Sequence, residues 1–504
     1  GHLWDIDVSG KTATDKGEID DSATFFFGFS EKLYILTGAE YYAWDGEGTA
    51  AVVEGYIPIV TTAAPPQGGG TLLESINLLT GKKRAEYSPD GESTVFQLPE
   101  NNLDQIISVE GTDISYTSDL VKGTVTFQSA PPKGINTITF TWKKGDGDRK
   151  DVTGMRYAEL YNGESDSRVF LYGNGTNKTI YSGLDEFGKA TAEYFPQLNT
   201  ISVDAENTPI TAMIRHYDRL LIFKPDSAYS CSYSTITLDG GLTTAAFYVS
   251  SLNRSIGNEA PGQARLVSNN ARTVFGRSVY TWSLASNSVR DERNAKIISD
   301  KVASLLAQFD ISKSICFDDE WNQEYYIFYN GNAVVHNYQN DTWYYYTNIP
   351  VEAVVSVRDS LYFGTPDGRI MEFSRKYRND DLKDIDAYWA SGSMDFDMDW
   401  RRKYSSNIWV SIKAESQAMV YATAESNIKS DYPDKLITAG LATFLNMDFN
   451  HWSFGTNRKP QLIRAKLKVK KATYYKLIFY SVSASATATI LSADIQVRYT
   501  GNVK

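Results

Sequence analysis

The stretch YYIFYNGNAVVHNY, Tyr325 to Tyr338, decides the fold. Two runs of apolar and aromatic residues flank Asn330-Gly331. That dipeptide tolerates positive φ and closes a two-residue hairpin. Working outward, the same plan recurs: large apolar residues, a turn, then a strand carrying aromatics. It stands as KLYILTGAEYYAWDG (Lys32–Gly46), RVFLYGNGTNKTIYSG (Arg168–Gly183), RLLIFKPDSAYSCSY (Arg219–Tyr233) and SLYFGTPDGRIMEF (Ser360–Phe373). In the last, Pro366-Asp367-Gly368 presets a reversal. Further strands such as TWYYYTNI (Thr342–Ile349) follow some of these hairpins. Units of about 40 to 50 residues with several strands each are the pattern of propeller blades.

The reading predicts an all-β fold: a six- or seven-bladed β-propeller with an inserted small β-sandwich and a C-terminal β-sandwich. Blades are expected near 23–60, 153–206, 208–256, 263–310, 311–350 and 351–376. Propeller residues thus fall in 1–83 and 146–378. The opening GHLWDIDVSGKTATDKGEI reads as the outer part of a blade, expected to pair with the last unit and close the ring. One helix is predicted, Asp291 to Phe309. Ile298, Val302, Leu305 and Phe309 form an apolar stripe there, and Ser288 or Asp291 caps the start. The segment 84–145, after the link APPQGGG (Ala64–Gly70), breaks the repeat. It reads as the inserted sandwich, with strands near Thr94–Leu98, Gln105–Val109, Gly123–Gln128 and Asn136–Trp142. From 379 to 504, alternation at Ile408, Val410 and Ile412, at Leu467 and Val469, and at Ile495 and Val497 predicts the C-terminal sandwich.

Composition agrees with strands. There are 33 Tyr, 23 Phe and 10 Trp in 504 residues, and aromatic residues suit half-buried pleated surfaces. Cys231 and Cys316 match no metal or disulfide framework and read as two buried thiols of a protein made in a reducing cytoplasm. The sequence contains no apolar run of 18 residues.

Net charge is −11, from 50 Lys/Arg against 61 Asp/Glu. Ten of the basic residues and one Asp lie in 458–504, so that segment carries +9 and the rest of the chain −20. Such a balance is not that of a general nucleic-acid binder.

Candidate chemistry is sparse. His2, His216, His336 and His451 have no ligand spacing, so structural roles are expected and no metal or other cofactor is predicted. No GxSxG elbow, phosphate loop or HExxH helix occurs. YGNGTNK (Tyr172–Lys178) reads as a hairpin turn. Asp395, Asp397 and Asp399 alternate along an expected strand. Such a strip could hold calcium or serve a glycosidase, but a solvated or partner-facing acidic strip is the preferred reading. Arg464, Lys466, Lys468 and Lys470 alternate likewise and put four cations on one strand face. Because the rest of the chain is acidic, contact with another subunit is the preferred specific role. No catalytic residue is assigned.

The runs RVFLYGNGTNKTIYSGLDEFGKATAEYFPQLNTISV, PITAMIRHYDRLLIFKPDSAY and APGQARLVSNNARTVFGRSVYTWS, the last followed by DERNAKIISDKV, together resemble the tail stabilisation proteins of bacteriophages, relatives of the nozzle or packaged-DNA stabilisation proteins of short-tailed phages. GTVTFQSAPPKGINTITFTW resembles the small sandwich inserted in many phage tail proteins. The resemblance covers roughly residues 20 to 375. It implies a structural virion protein, assembled in the bacterial cytoplasm and not an enzyme. Such proteins form a ring with copies of themselves, six by the resemblance. The ring sits below the portal and adaptor, contacts other tail proteins, retains the packaged DNA and gives it an exit channel. An acidic body fits a conduit that must release DNA. A receptor- or glycan-binding tail protein is the alternative, and a propeller glycosidase using the Asp395 strip is a third reading.

Overall fold

The computed structural model describes residues 1–504 except 74–75, 162–167, 238–242, 284–293, 375–376, 378, 414–417, 440–458, 484–487 and 503–504. The fold is all-β, with 52% strand and 3% helix. It divides into two compact units, Gly1–Met371 and Glu372–Lys504.

The first unit opens with a hairpin, β1 (His2–Asp7) and β2 (Thr12–Glu18). A four-stranded antiparallel sheet follows: β3 (Phe25–Phe29), β4 (Lys32–Leu36), β5 (Tyr41–Trp44) and β6 (Ala51–Val52). The hairpin does not join the last sheet, contrary to expectation. Leu3 and Ile19 bury against Ile35 of β4, and the Ala50 N–H donates to Lys16 O at 2.7 Å. Its inward apolar residues find their nearest apolar surface on the first sheet.

Next comes an eight-strand segment: β7 (Ile59–Ala64), β8 (Thr71–Leu72), β9 (Lys82–Tyr87), β10 (Val95–Gln97), β11 (Gln105–Glu110), β12 (Tyr116–Asp119), β13 (Thr124–Phe127) and β14 (Ile138–Lys143). These form a five-stranded sheet, ordered β11-β14-β9-β7-β8, and a three-stranded sheet, β10-β13-β12. Both contribute to one core around Tyr87, Phe96, Phe127, Phe140 and Trp142. The segment therefore begins at Ile59 rather than 84. The Pro/Gly-rich run is not a link before it but the turn between β7 and β8. Gly70 sits there at φ 92°, where a Cβ would lie 2.7 Å from Thr62 O.

After α1 (Lys150–Thr153), meander follows meander. The second sheet holds β15 (Tyr157–Tyr161), β16 (Arg168–Tyr172), β17 (Lys178–Tyr181) and β18 (Thr200–Ser202). The third holds β19 (Ala212–His216), β20 (Arg219–Phe223), β21 (Ala228–Thr237) and β22 (Thr243–Asn253). The fourth holds β23 (Arg265–Val267), β24 (Asn270–Phe275), β25 (Ser278–Trp282) and β26 (Ala295–Ile297). The long predicted helix is shorter than expected. Ala295–Ile297 pairs with Tyr280–Trp282 as the fourth strand, and only Asp300–Val302 (3-10) and α2 (Ala303–Leu306) coil. The stripe still faces inward: Val302 and Phe309 are buried, and Ile298 and Leu305 pack on the same core. Ser288 and Asp291 lie outside the described residues. The fifth sheet holds β27 (Ile315–Asp319), β28 (Glu324–Tyr329), β29 (Asn332–Asn337) and β30 (Thr342–Thr347), and the sixth β31 (Ala353–Val357), β32 (Ser360–Gly364) and β33 (Ile370–Phe373).

Burial explains the repeat. Central strands are apolar on both faces, as β16 shows with five buried residues in succession. The first five sheets are covered by their neighbours. Leu36 and Leu171 share one core between the first two sheets, Phe170 and Leu220 the next, Phe223 and Trp282 the third, Val274 and Ile327 the fourth. The first strands β3, β15, β19, β23, β27 and β31 neighbour one another in that order. Several first hairpins turn on two residues at least one of which has positive φ: Ser30-Glu31, Tyr217-Asp218, Ser268-Asn269 and Arg358-Asp359.

In the second unit, β34 (Ile385–Ala390), β35 (Arg401–Ile412), β36 (Ala418–Ser426), β37 (Lys435–Ala439), β38 (Gln461–Ala465), β39 (Val469–Ala472), β40 (Tyr475–Ser483) and β41 (Ile490–Asn502) form two sheets. One is ordered β34-β40-β36-β37. In the other, β35 pairs β38 and β39 as well as β41. Ile408, Val410, Val420, Ile437, Val469 and Phe479 join across a single core.

Candidate functional site

The basic row forms at the second unit's surface because every alternate residue is needed inside. Ala465, Leu467 and Val469 enter the core, which turns Arg464, Lys466, Lys468 and Lys470 to solvent. Alternate residues of an extended chain stand about 6.6 Å apart. Register extends the face across the sheet. Trp409 pairs Arg464 on one side and Asp494 on the other, and Tyr404 pairs Lys470 and Arg498. Arg464 Nε donates to Asn407 Oδ1 at 3.1 Å, and its guanidinium lies 5.9 Å from the Trp409 ring. Among the described residues, Lys466, Lys468 and Lys470 make no ion pair. The result is a cationic face interleaved with two aromatic rings.

The acidic strip is built differently from the expectation. Met394 makes an isolated bridge to Tyr475, and the chain then turns, with Phe396 at φ 54° and Asp397 at φ 61°. Phe396 packs on Tyr475, ring centroids 5.5 Å apart. Asp395, Asp397 and Asp399 are exposed around this turn rather than aligned on a strand. Asp395 Oδ1 accepts the Asp397 N–H at 3.1 Å, an internal turn bond. No group of three or more metal-ligating side chains occurs among the described residues.

A cavity of about 340 Å³ lies beside the first strands of the second, third and fourth sheets. Glu159 of β15, Arg215 and His216 of β19, Tyr217, Leu266 and Asn269 line it. Glu159 Oε1 accepts the Arg215 N–H at 3.0 Å, and burial pushes its carboxyl up to about 7. His216 Nε2 lies 2.8 Å from Asn269 O and so donates to it. Its Nδ1 has no hydrogen-bond partner, and burial lowers the imidazole below its usual range. The two groups line one cavity, and burial favours the neutral form of each. No spacing in the sequence joins the two residues, which are 57 positions apart in different repeats, and His216 reads there as an ordinary structural histidine.

The remaining histidines are structural where described. His2 Nδ1 is 3.0 Å from Asp15, and His336 sits in a buried network between the fourth and fifth sheets. His451 lies outside the described residues. Tyr172–Lys178 is the β16–β17 turn, with Gly173 and Gly175 at positive φ. Cys231 and Cys316 are buried free thiols.

No family model and no curated protein matches the chain. Among solved structures, it is similar to PorZ, a surface component of the type-IX secretion system of Porphyromonas gingivalis, at 14% identity and TM-score 0.28. That match covers 69% of this chain and 36% of PorZ, so the chain spans about a third of that protein's length. It is also similar to the extracellular domain of BT3049 from B. thetaiotaomicron, described as a hybrid two-component system. Identity there is 11% and TM-score 0.30, over 93% of this chain and 71% of that one. At these scores the likeness reaches no individual residue.

Proposed function

We propose that the chain is a structural, non-enzymatic protein of a bacteriophage tail. In this reading its six successive sheets are blades of a β-propeller carrying an inserted β-sandwich and a C-terminal β-sandwich. Copies of it form a ring below the portal and adaptor that retains packaged DNA and then lets it leave. The observation that carries the reading is the succession of meanders whose first strands neighbour one another in chain order. Together with the phage-like runs at 168–203, 209–229 and 260–283, it supports a rigid scaffold. Rigid sheets stacked face to face resist deformation at subunit contacts because their interiors are close-packed. A mostly acidic body supports release of the DNA without adhesion to the channel, since like charges repel at short range even in salt.

The experiment is low-resolution imaging of particles that contain the chain carrying a bound gold label. A ring on the tail axis is expected. A label on peripheral appendages would replace this reading with receptor or glycan binding.

A further inference from the structure

We infer that the end of the fifth sheet bearing Trp321 is the docking surface for the basic row of a second copy of this chain. The inference rests on the ring reading above and names the contact that would build the ring.

From Ser314 to Val357 the chain contains no Lys or Arg, but six Asp or Glu. Five of these, Asp318, Asp319, Glu320, Glu324 and Asp341, gather at one end of the sheet. They do so because the β27–β28 and β29–β30 turns lie side by side, joined by the Tyr338 N–H to Gln323 O at 3.0 Å. Four are held internally: Asp341 pairs Lys301 at 2.8 Å, the Glu324 carboxylate accepts from the Tyr326 hydroxyl at 2.6 Å, the buried Asp319 carboxylate accepts from Asn322 at 2.7 Å, and burial raises the Asp318 carboxyl. Glu320 is exposed beside Trp321, itself 70% exposed.

Among the described residues, no further strand pairs with the adjoining edge. β30 ends its sheet, six residues long, with no charge, proline or bulge in TWYYYT. Tyr344 and Tyr345 are 44% and 41% exposed. Proteins ordinarily blunt such edges with charges or covers, because open backbone groups recruit other strands. Here aromatic residues occupy the edge, the residue class enriched at the centres of interfaces.

Charge identifies the occupant. The chain's own complement is the face of Arg464, Lys466, Lys468, Lys470 and Arg498 around Trp409 and Tyr404, where Asp494 is the one acid among the register partners. Among the described residues Lys466, Lys468 and Lys470 make no ion pair, Asp341 is the one of the five acids paired with a lysine, and aromatic rings lie within both surfaces. The two patches differ, so the contact is heterologous and closes into a ring when its rotation allows. Exposed pairs contribute little each, so charge sets register and rate while the aromatic centre supplies affinity.

The test uses two full-length variants. One reverses the row (Lys466→Glu, Lys468→Glu, Lys470→Glu), and the other makes the edge basic (Glu320→Lys, Tyr344→Lys, Tyr345→Lys). Circular dichroism checks that both fold. Sedimentation velocity at low and high salt follows association. Each variant alone should associate at least tenfold more weakly than wild type. Their equimolar mixture should recover pairing, because the intact edge of the first variant then meets the intact row of the second. Wild-type association by either variant alone, a mixture that stays monomeric, or a wild-type chain monomeric at every concentration overturns the contact. So does retention of the row on duplex DNA or heparin without self-association, which assigns it to a polyanion. Closed rings insensitive to both changes would leave the ring reading standing and remove this contact. Open chains that depend on both changes would do the reverse.

Discussion

Arg272 Nη1 lies 3.0 Å from His336 Nδ1, joining the fourth sheet to the fifth inside the protein. A guanidinium donates only, so Nδ1 accepts and the imidazole is neutral, its Nε2 facing Asp341 Oδ1 at 3.1 Å. The Trp343 ring stacks on it at 4.4 Å, and Arg272 also lies over Tyr325 at 5.1 Å. Burial, with help from Arg272, lowers the His336 pKa. A base held neutral contributes stability above its unfolded pKa, about 6.5, and that stability is lost as pH falls through the lowered folded value. Unfolding free energy should therefore drop more steeply between pH 7 and 5 in wild type than in His336→Gln. Arg272→Met should cost about 3 kcal/mol at pH 7, since it removes the donor to a buried acceptor and the cation nearest the buried Asp318. Urea denaturation across the pH series measures both.

Glu159 has the opposite sign. Its carboxyl titrates at about 7 when folded, against 4.5 ordinarily. The stability from its neutral form is fully present below 4.5 and lost as pH rises through 7. Glu159→Gln keeps the group neutral and still accepts the Arg215 N–H. It should match wild type at pH 4 and exceed it by about 1 to 3 kcal/mol at pH 9. Equal stability of the two proteins at pH 9 would show that the charged carboxylate is as well solvated in the cavity as in water.

Asn77 binds the eight-strand segment to its neighbours. It is fully buried. Nδ2 donates to Tyr56 O and Glu193 O, each at 2.8 Å, and Oδ1 accepts from Phe195 at 3.0 Å and Leu79 at 3.2 Å. Asn77→Ala leaves these four backbone groups without their partner and should cost about 3 kcal/mol or more. Asn77→Asp, which has no donor, should recover little. Thermal midpoints of the two variants check this.

The same segment leaves and returns twice. Ile76 to Gly81 runs back to the sheets, where Leu78 and Leu79 fill the core shared by the first two. Excising Lys82–Lys143 alone should yield aggregates. It removes β9 from beside β7 and exposes Val60, although the cut ends lie close, with the Lys144 N–H 3.0 Å from Gly81 O. Excising Ile59–Leu73 as well, with short Gly/Ser bridges, should restore soluble protein with native near-ultraviolet dichroism. Equal solubility of the single and double excisions would refute this division.

The amino-acid sequence by itself determined what is local: strands, turns and alternation. Asn330-Gly331 prescribes its hairpin because few other residues accept both conformations, and the period-two row at Arg464–Lys470 faces outward because Ala465, Leu467 and Val469 must not. Tertiary structure decided whatever depends on a partner distant in sequence. Ala295–Ile297 is a strand because β25 offers it a ladder, which outweighs a weak helical stripe. The opening hairpin settles on the first sheet because Ile35 lies there. Asp395–Asp399 turns because Phe396 reaches Tyr475. Glu159 and His216 line one cavity because neighbouring sheets stack at their first strands, and their shifted protonation comes from that burial, which no spacing in the chain records.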